Sequence, residues 1–291
     1  MHVSPRAVPR LQILATALLF STGGAAIKAT TLSSWQVAGF RSGVAALALV
    51  LMMPAARRAW SWRTVAIGTA YAATLIFFVR ANKLTTAANT IFLQSTAPLY
   101  ILLLAPLLLR EPIRRRDVTF MAALAAGLGL LFVGVEPPVA SAPDPMQGNF
   151  FAALSGVCYA LTLTGLRWMG KQEERAAGSS LAALVSGNAI AFLVCLPWAL
   201  PFTGGNTTDW IMVGYLGVFQ IGLAYVLLTG AMRHVPALET SLLLLLEPVL
   251  NPVWAWLAHG EKPGAWSLFG GAIILLATTL KTVRSVRNCS S

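Results

Sequence analysis

The chain alternates long apolar runs with short polar connections along almost its whole length. A hydrocarbon core about 30 Å thick is crossed by roughly 20 apolar residues in helical conformation, and ten runs of about this length follow one another. Each run is predicted to be helical, because lipid offers no partner to an unpaired backbone amide or carbonyl group. The ten predicted spans are residues 11–30, 35–53, 63–80, 87–109, 118–135, 148–168, 180–200, 210–230, 237–258 and 265–281.

The composition agrees with a membrane protein. Of 291 residues, 57% are hydrophobic and 11% are charged, whereas a soluble chain carries about a quarter charged residues; the mean hydropathy is +0.71. The net charge of +11 is attributed to loops held at the cytoplasmic face, so we expect no nucleic-acid partner. The three cysteines and three histidines are scattered, so we expect no disulfide framework, no metal site and no cofactor.

Lysine and arginine concentrate on alternate connections, and this bias indicates the orientation. With the N-terminus in the cytoplasm, sixteen of the 21 lysines and arginines lie at inner ends, as the positive-inside rule requires. The outer ends then hold Lys28, Arg80, Lys83 and Lys262, while Arg41 lies within the second span. Both termini are therefore predicted to be cytoplasmic, with short tails at 1–10 and 282–291.

The fourth predicted span resembles the ninth. When the two segments are aligned without a gap, Pro98 meets Pro248 and Glu111 meets Glu261, each pair 150 residues apart. Such a match indicates an internal repeat. Because five spans separate the two copies, Glu111 is predicted to lie on the cytoplasmic side and Glu261 on the outer side, which makes the repeats inverted.

The longest connection, residues 136–147, is rich in proline and small residues. It is predicted to be an outer loop between a first five-helix repeat, residues 11–135, and a second one, residues 148–281. Inverted repeats are typical of transporters in which two related halves rock about a site near the bilayer midplane. The predicted fold class is an all-α membrane protein of ten transmembrane helices, built as two inverted five-helix repeats.

These features together resemble the drug/metabolite transporter superfamily of the EamA type. The resemblance is carried by GFRSGVAAL in the second span, STAP in the fourth, LLEPVLNPVWAWLAHGE in the ninth and the glutamate that closes each copy. It covers the chain from about residue 11 to residue 281. Within the superfamily, the chain is most similar to the YddG-type exporters of aromatic amino acids.

The resemblance implies a basket of ten helices in a bacterial inner membrane, with a central solute cavity and efflux without ATP hydrolysis. We therefore expect a monomeric exporter of aromatic and related neutral amino acids that works by alternating access. The alternative is a multidrug or other metabolite exporter of the same superfamily.

Glu247 lies in the ninth span, where a charged group costs about 2.5–3.5 kcal/mol on insertion scales. Thr240, Glu247, Asn251 and Trp254 share one helical face, so this face is predicted to point into the bundle, with Glu247, Asn251 and Trp254 as candidates to line the solute cavity. Two roles stay open for Glu247: it could bond to neighbouring helices at a proline kink, or it could contact the solute. It is also the candidate site for a coupled proton, if transport is coupled to protons at all.

Three prolines within the spans are candidate hinge positions, namely Pro98, Pro248 and Pro252. A proline inside a helix removes one backbone hydrogen bond and leaves a carbonyl without its donor. Such freed groups are tolerated at membrane depth only where protein or water can satisfy them.

Aromatic residues near the span centres indicate the kind of solute. Tyr71, Tyr100 and Tyr159 lie where an interfacial belt would not put them, and each buried hydroxyl needs a partner. Together with Phe77 and Trp254, they are candidates for the wall of a cavity that offers ring faces to a flat apolar side chain. Packing within the protein core is the alternative explanation for these rings.

Two further polar residues within the spans have two interpretations each. Gln94 either lines the cavity or joins helices. Arg41 lies between Gly39 and Gly43, a spacing that lets another helix approach closely. We expect Arg41 to reach the outer interface or a backbone carbonyl rather than to clamp a solute carboxylate.

Rival classes of function find less support in the sequence. A membrane enzyme needs a nucleophile with its base, paired acids or metal ligands within reach of one another, and the predicted spans show no such set. We therefore assign no catalytic residue. A channel would need rings of carbonyls or charges along a continuous pore. A receptor-like protein stays open, and solute flux separates it from a transporter.

The inverted topology is testable by chemical labelling from each side of the membrane. With the native cysteines replaced, Arg114→Cys should react with a membrane-impermeant maleimide only from the cytoplasmic side, and Lys262→Cys only from outside. Arg114 follows the fourth predicted span and Lys262 follows the ninth. These two spans are predicted to cross the membrane in opposite directions, so the two positions should be accessible from opposite faces. Labelling of both positions from the same face would contradict the inverted repeat.

Overall fold

The structure is a computed structural model, and it describes residues 7–57, 60–108, 112–113, 115–170, 176–202, 204–232 and 234–287. Across these residues the chain is helical apart from short connections and one isolated β-bridge between Val139 and Ala142. The helices are α1 (Ala7–Ser21), α2 (Gly23–Lys28), α3 (Ser34–Met52), α4 (Trp62–Leu84), α5 (Ala87–Gln94), α6 (Ala97–Leu108), α7 (Arg115–Val133), α8 (Pro145–Gly170), α9 (Ala176–Ala199), α10 (Thr207–Tyr215), α11 (Ala224–Ala231), α12 (Ala237–Leu244), α13 (Leu246–His259) and α14 (Ala265–Arg287), with a π-helical segment at Leu216–Leu223 between α10 and α11.

Nine helical stretches in the described part of the chain are long and apolar enough to cross a membrane. They correspond to nine of the ten predicted spans, with small shifts at their ends. The fifth predicted span, 118–135, corresponds to a shorter apolar helix at Asp117–Val133. The count of ten, the inversion and the side of the termini therefore remain predictions. Glu111, the predicted counterpart of Glu261, lies outside the described residues, as does Arg114.

Two membrane-length stretches are broken at the same place relative to a proline. Helix α5 ends at Gln94 and α12 ends at Leu244, four residues before Pro98 and Pro248 respectively. A proline ring lacks the N–H group and clashes with the carbonyl four residues earlier, so the regular hydrogen-bond ladder stops at these residues. Pro252, in contrast, lies inside the continuous helix α13.

Glycines allow the central helices to approach one another closely. Helix α4 packs against α8 and α9, and α3 packs against α9. A Cβ atom on Gly68 would lie 2.1 Å from Ser186 Oγ, and one on Gly43 would lie 2.9 Å from the ring of Phe192. The Gly39 and Gly43 spacing of α3 thus faces α9, which is how small residues promote helix contact in lipid.

A buried ion pair ties together one end of the bundle. Lys28 Nζ lies 2.9 Å from Glu261 Oε2, and these side chains are only 5% and 3% exposed. The Lys28 ammonium also donates to the backbone carbonyl oxygens of Thr85 and Ser141. Glu261 Oε1 accepts a hydrogen bond of 2.6 Å from the Ala87 backbone N–H at the start of α5. One carboxylate therefore joins the ends of three membrane-length stretches.

Two more charged residues extend this contact region. Lys83 Nζ donates to the carbonyl and hydroxyl oxygens of Thr30 at 2.6 and 2.9 Å. The Asp209 carboxylate accepts from the backbone N–H and the hydroxyl of Thr31 at 2.6 and 2.7 Å. With the preceding pair, these two residues define what we call the ion-pair end. The positive-inside bias predicts that it faces outward.

Breaking the ion pair should be costly, because the remaining charge would be buried without a counter-charge. Glu261→Gln leaves Lys28 buried without its counter-charge, and breaking a buried pair in this way costs about 3–5 kcal/mol. We expect a clear fall in the thermal unfolding midpoint of the purified protein. The control is Arg10→Gln, which breaks an ion pair with Glu239 whose side chains are 54% and 33% exposed and should cost about 0–1 kcal/mol. Equal effects from the two variants would contradict the structural role of the buried pair.

Candidate functional site

A cavity of about 150 Å³ lies in the interior of the bundle beside both proline-linked helix breaks. Gln94 and Ser95 line it at the first break, and Glu247 and Pro248 line it at the second. A single water needs about 10–15 Å³ of such a volume, so the space suits a small solute or a cluster of waters.

Both halves of the chain contribute to the cavity wall. From the first half come α1, α3, α4 and α5, and from the second half come α8, the π-helical segment, α11 and α13. The apolar part of the wall consists of Phe20, Leu75, Phe78, Ile91 and Ile221. The site therefore lies between the two predicted repeats, where transporters with inverted repeats bind their solutes.

Four of the eight predicted solute-contact residues line this cavity, namely Tyr71, Gln94, Tyr159 and Glu247. Gln94 also holds helices together, since its Nε2 donates to Ser155 Oγ on α8 at 2.8 Å. Both interpretations of this residue are therefore realised at once.

Phe77 and Tyr100 lie outside the cavity wall. Four α4 residues line the cavity and recur at helical spacing on one face, namely Tyr71, Thr74, Leu75 and Phe78. Phe77 lies on another face, and its ring stacks on Phe151 with centroids 5.8 Å apart. The ring of Tyr100 packs against α8, close to Gly156.

Asn251 and Trp254 continue the face of Glu247 along α13, but they contact protein instead of the cavity. Asn251 is fully buried next to Gly24, where a Cβ atom on that glycine would lie 2.7 Å from Asn251 Oδ1. Trp254 Nε1 donates to Ser21 Oγ at 2.9 Å. The ends of α1 and α2 therefore cover this part of the polar face.

Of the candidate hinge prolines, only Pro248 lines the cavity. Pro98 lies in the first turn of α6, and Pro252 lies one turn further along α13 than Pro248. The two proline-linked breaks nevertheless flank the cavity from opposite halves of the chain.

Several lining residues are not among those that the sequence pattern singles out, and three of them, Phe20, Gln220 and Tyr225, come from the helices α1 and α11 and the π-helical segment. The Tyr71 hydroxyl donates to the Tyr225 hydroxyl at 3.2 Å, and the Phe20 ring meets Tyr225 edge-on at 5.3 Å. Gln220 lies in the π-helical segment, a distortion that is frequent at functional sites. A glutamine amide near the centre of an apolar span is the sequence feature that could have identified this segment.

Two ionisable side chains of opposite sign also line the cavity. Arg41 is 1% exposed; its Nη2 donates to the Leu75 carbonyl oxygen at 3.4 Å, which agrees with the expected backbone contact. Glu247 lies in the first turn of α13, where the helix dipole favours a negative charge. Within the described residues there is no group of three or more metal-ligating side chains. The cavity wall presents a guanidinium, a carboxylate, hydroxyl groups and aromatic rings.

A protein-family comparison matches two segments of the chain to one family. Residues 10–133 and residues 146–283 both match the EamA-like transporter family. The two matched segments leave only a short connection between them.

Three curated proteins that are similar to this chain are named as transporters or exporters. The chain is 26% identical over 275 residues to the pseudopaline exporter CntI of Pseudomonas aeruginosa, covering 92% of this chain and 93% of that protein. It is 26% identical over 202 residues to an uncharacterized transporter of Archaeoglobus fulgidus, covering 69% of each. It is 23% identical over 229 residues to the uncharacterized transporter YxxF of Bacillus subtilis, covering 77% of this chain and 72% of the relative.

A solved crystal structure has the same fold. It matches with a TM-score of 0.62 over 96% of this chain and 98% of its own chain, at 19% sequence identity. At this identity the likeness concerns the fold alone.

Proposed function

Because this chain belongs to the EamA-like transporter family, we propose that it exports aromatic and related neutral amino acids by alternating access, without ATP hydrolysis, as a monomer in a bacterial inner membrane. The observation that carries the proposal is the cavity between the two halves of the bundle, flanked by helix breaks and walled by aromatic rings. A solute site between the two halves can be opened to each side of the membrane in turn, as the halves rock about the site.

The aromatic wall supports the solute class. Phe20, Tyr71, Phe78, Tyr159 and Tyr225 all line the cavity. Edge-on and stacked contacts between rings are worth about 0.5–1.5 kcal/mol beyond their buried area, so a flat aromatic side chain gains from such a wall. One methylene in an apolar pocket is worth only about 1–3 kcal/mol, and broad specificity among neutral amino acids follows.

The ion-pair end supports alternation. Lys28 and Glu261 close one end of the bundle through contacts with the start of α5, and α5 ends at the first break beside the cavity. Opening this end requires the contacts to separate, and bending at the two proline-linked breaks supplies the motion. The Glu261 carboxylate is thus linked to the cavity through α5, which it contacts at one end and which borders the cavity at the other.

Export of a different metabolite is the second candidate. It is favoured by the similarity to a protein named as a pseudopaline exporter, which extends over 92% of this chain. Multidrug export belongs to the same alternative, and both use the same cavity.

Transport by the purified protein in liposomes tests the proposal. Phenylalanine uptake into protein-containing vesicles should exceed uptake into empty ones, should proceed without ATP, and should compete with tryptophan but not with excess lysine or aspartate. Charged amino acids are excluded because their extra charge would be buried without a partner. Uptake of an organic cation or arginine without phenylalanine uptake would instead favour the second candidate.

Two matched aromatic variants serve as controls for this test. Tyr159→Ala removes a ring from the cavity wall and should weaken phenylalanine competition by about two- to tenfold, in line with the worth of one ring contact. Phe77→Ala removes a ring that stacks on Phe151 outside the cavity, so the relative affinities of the solutes should stay unchanged. Loss of selectivity in Phe77→Ala but not in Tyr159→Ala would count against this cavity as the transport site.

A further inference from the structure

Arg41 and Glu247 line the same cavity, and neither has a counter-charge among the residues that the structure describes. The Arg41 Nε atom is buried without a hydrogen-bond partner there, and the one bond that the guanidinium makes is the long contact to Leu75. In the same described ranges, no hydrogen bond or ion pair involves the Glu247 carboxylate, and no ion pair joins it to Arg41.

In contrast to Arg41 and Glu247, the charged side chains at the ion-pair end have partners within the protein. Lys28 pairs with Glu261, while Lys83 and Asp209 bond to threonines on the adjoining connection. An unpaired buried charge is costly, so the fold satisfies these groups within the protein. In the described part of the chain, Arg41 and Glu247 are the charged side chains that line the cavity, and neither has a counter-charge there.

The expected backbone contact of Arg41 uses one of its donors and leaves Nε without a partner. We propose that Arg41 has a second role and that Arg41 and Glu247 together recognise a zwitterion: the guanidinium binds the carboxylate of the solute, and the Glu247 carboxylate binds its ammonium group. This inference rests on the proposed function and deepens it, because it assigns the two ends of the amino acid to two specific side chains. Charge-assisted hydrogen bonds of this kind are the strong ones, and guanidinium matches a carboxylate in bidentate geometry.

The remaining wall fits the rest of such a solute. The rings of Phe20 and Phe78 and the side chains of Leu75 and Ile91 provide an apolar surface. A solute that lacks one of the two charges pairs with only one of the two charged side chains of the wall and leaves the other without a counter-charge in the cavity. The site should therefore bind simple amines and simple carboxylic acids weakly, as well as amino acids whose side chain carries a further charge.

Three ligands with the same aromatic ring test separately how much each charge of the solute contributes to binding. Phenylalanine carries both charges, phenethylamine lacks the carboxylate and phenylpropionate lacks the ammonium group. Their competition with labelled phenylalanine is measured in liposomes that contain the purified full-length protein. We expect both analogues to compete at least about tenfold more weakly than phenylalanine, because each leaves a charged group of the cavity wall unpaired.

Variants then assign each end of the solute. Glu247→Gln should weaken phenylalanine by about tenfold or more while changing phenylpropionate about twofold or less, because only phenylalanine loses an ion pair. Arg41→Gln should show the mirror pattern, with phenethylamine affected least, and Arg41→Lys should recover part of the loss because it keeps the charge without the bidentate fork. Arg10→Gln, outside the cavity, is the control and should change none of the ratios.

The outcomes distinguish this inference from the proposed function. If phenylalanine is carried but both analogues compete equally well in the unmodified protein, the zwitterion inference is wrong and the proposed function stands. If phenylalanine is not carried, the same series is run with leucine, isoamylamine and isocaproate. Preference for leucine over both analogues would support the zwitterion inference and reject the aromatic range. The comparison within the unmodified protein decides the matter even if a variant fails to fold.

Discussion

A lipid interior offers no partner to a charged or polar group, and most features of this protein follow from that constraint. It requires the membrane-length segments to be helical, and it requires a buried charge to find a partner within the protein. Lys28 and Glu261 meet this requirement by pairing at one end of the bundle. Arg41 makes one backbone hydrogen bond and Glu247 makes none within the described residues, and both line the interior cavity.

The same constraint explains why the helix breaks lie next to the cavity. Pro98 and Pro248 each end a helical segment four residues earlier, and the freed carbonyl groups need protein or water nearby. The cavity lies beside one of these groups, since Gln94 lines it, and a broken helix bends more easily than a continuous one. Glu247 and both proline-linked breaks thus belong to the same two segments, α5 with α6 and α12 with α13, while Arg41 comes from α3.

The sequence predicts some of these features because they depend on local patterns. Apolar run length locates the membrane-length helices, proline locates the two breaks, and the exceptional carboxylate locates Glu247 on the cavity. It does not predict that Phe77 packs on Phe151, because one helical step decides which neighbour a ring meets. Nor does it predict the pairing of Lys28 with Glu261 or the contribution of Tyr225, since these depend on which distant helices pack together.

Chemical access to Ser95, which lines the cavity at the first break, tests alternating access most directly. The measurement is the labelling rate of Ser95→Cys, with the native cysteines replaced, by a membrane-impermeant maleimide applied in turn to each face of sealed vesicles. The account predicts reaction from both faces, protection by phenylalanine, and faster reaction from the ion-pair end when Glu261→Gln is added. Access from one face only, unchanged by phenylalanine and by Glu261→Gln, would contradict it.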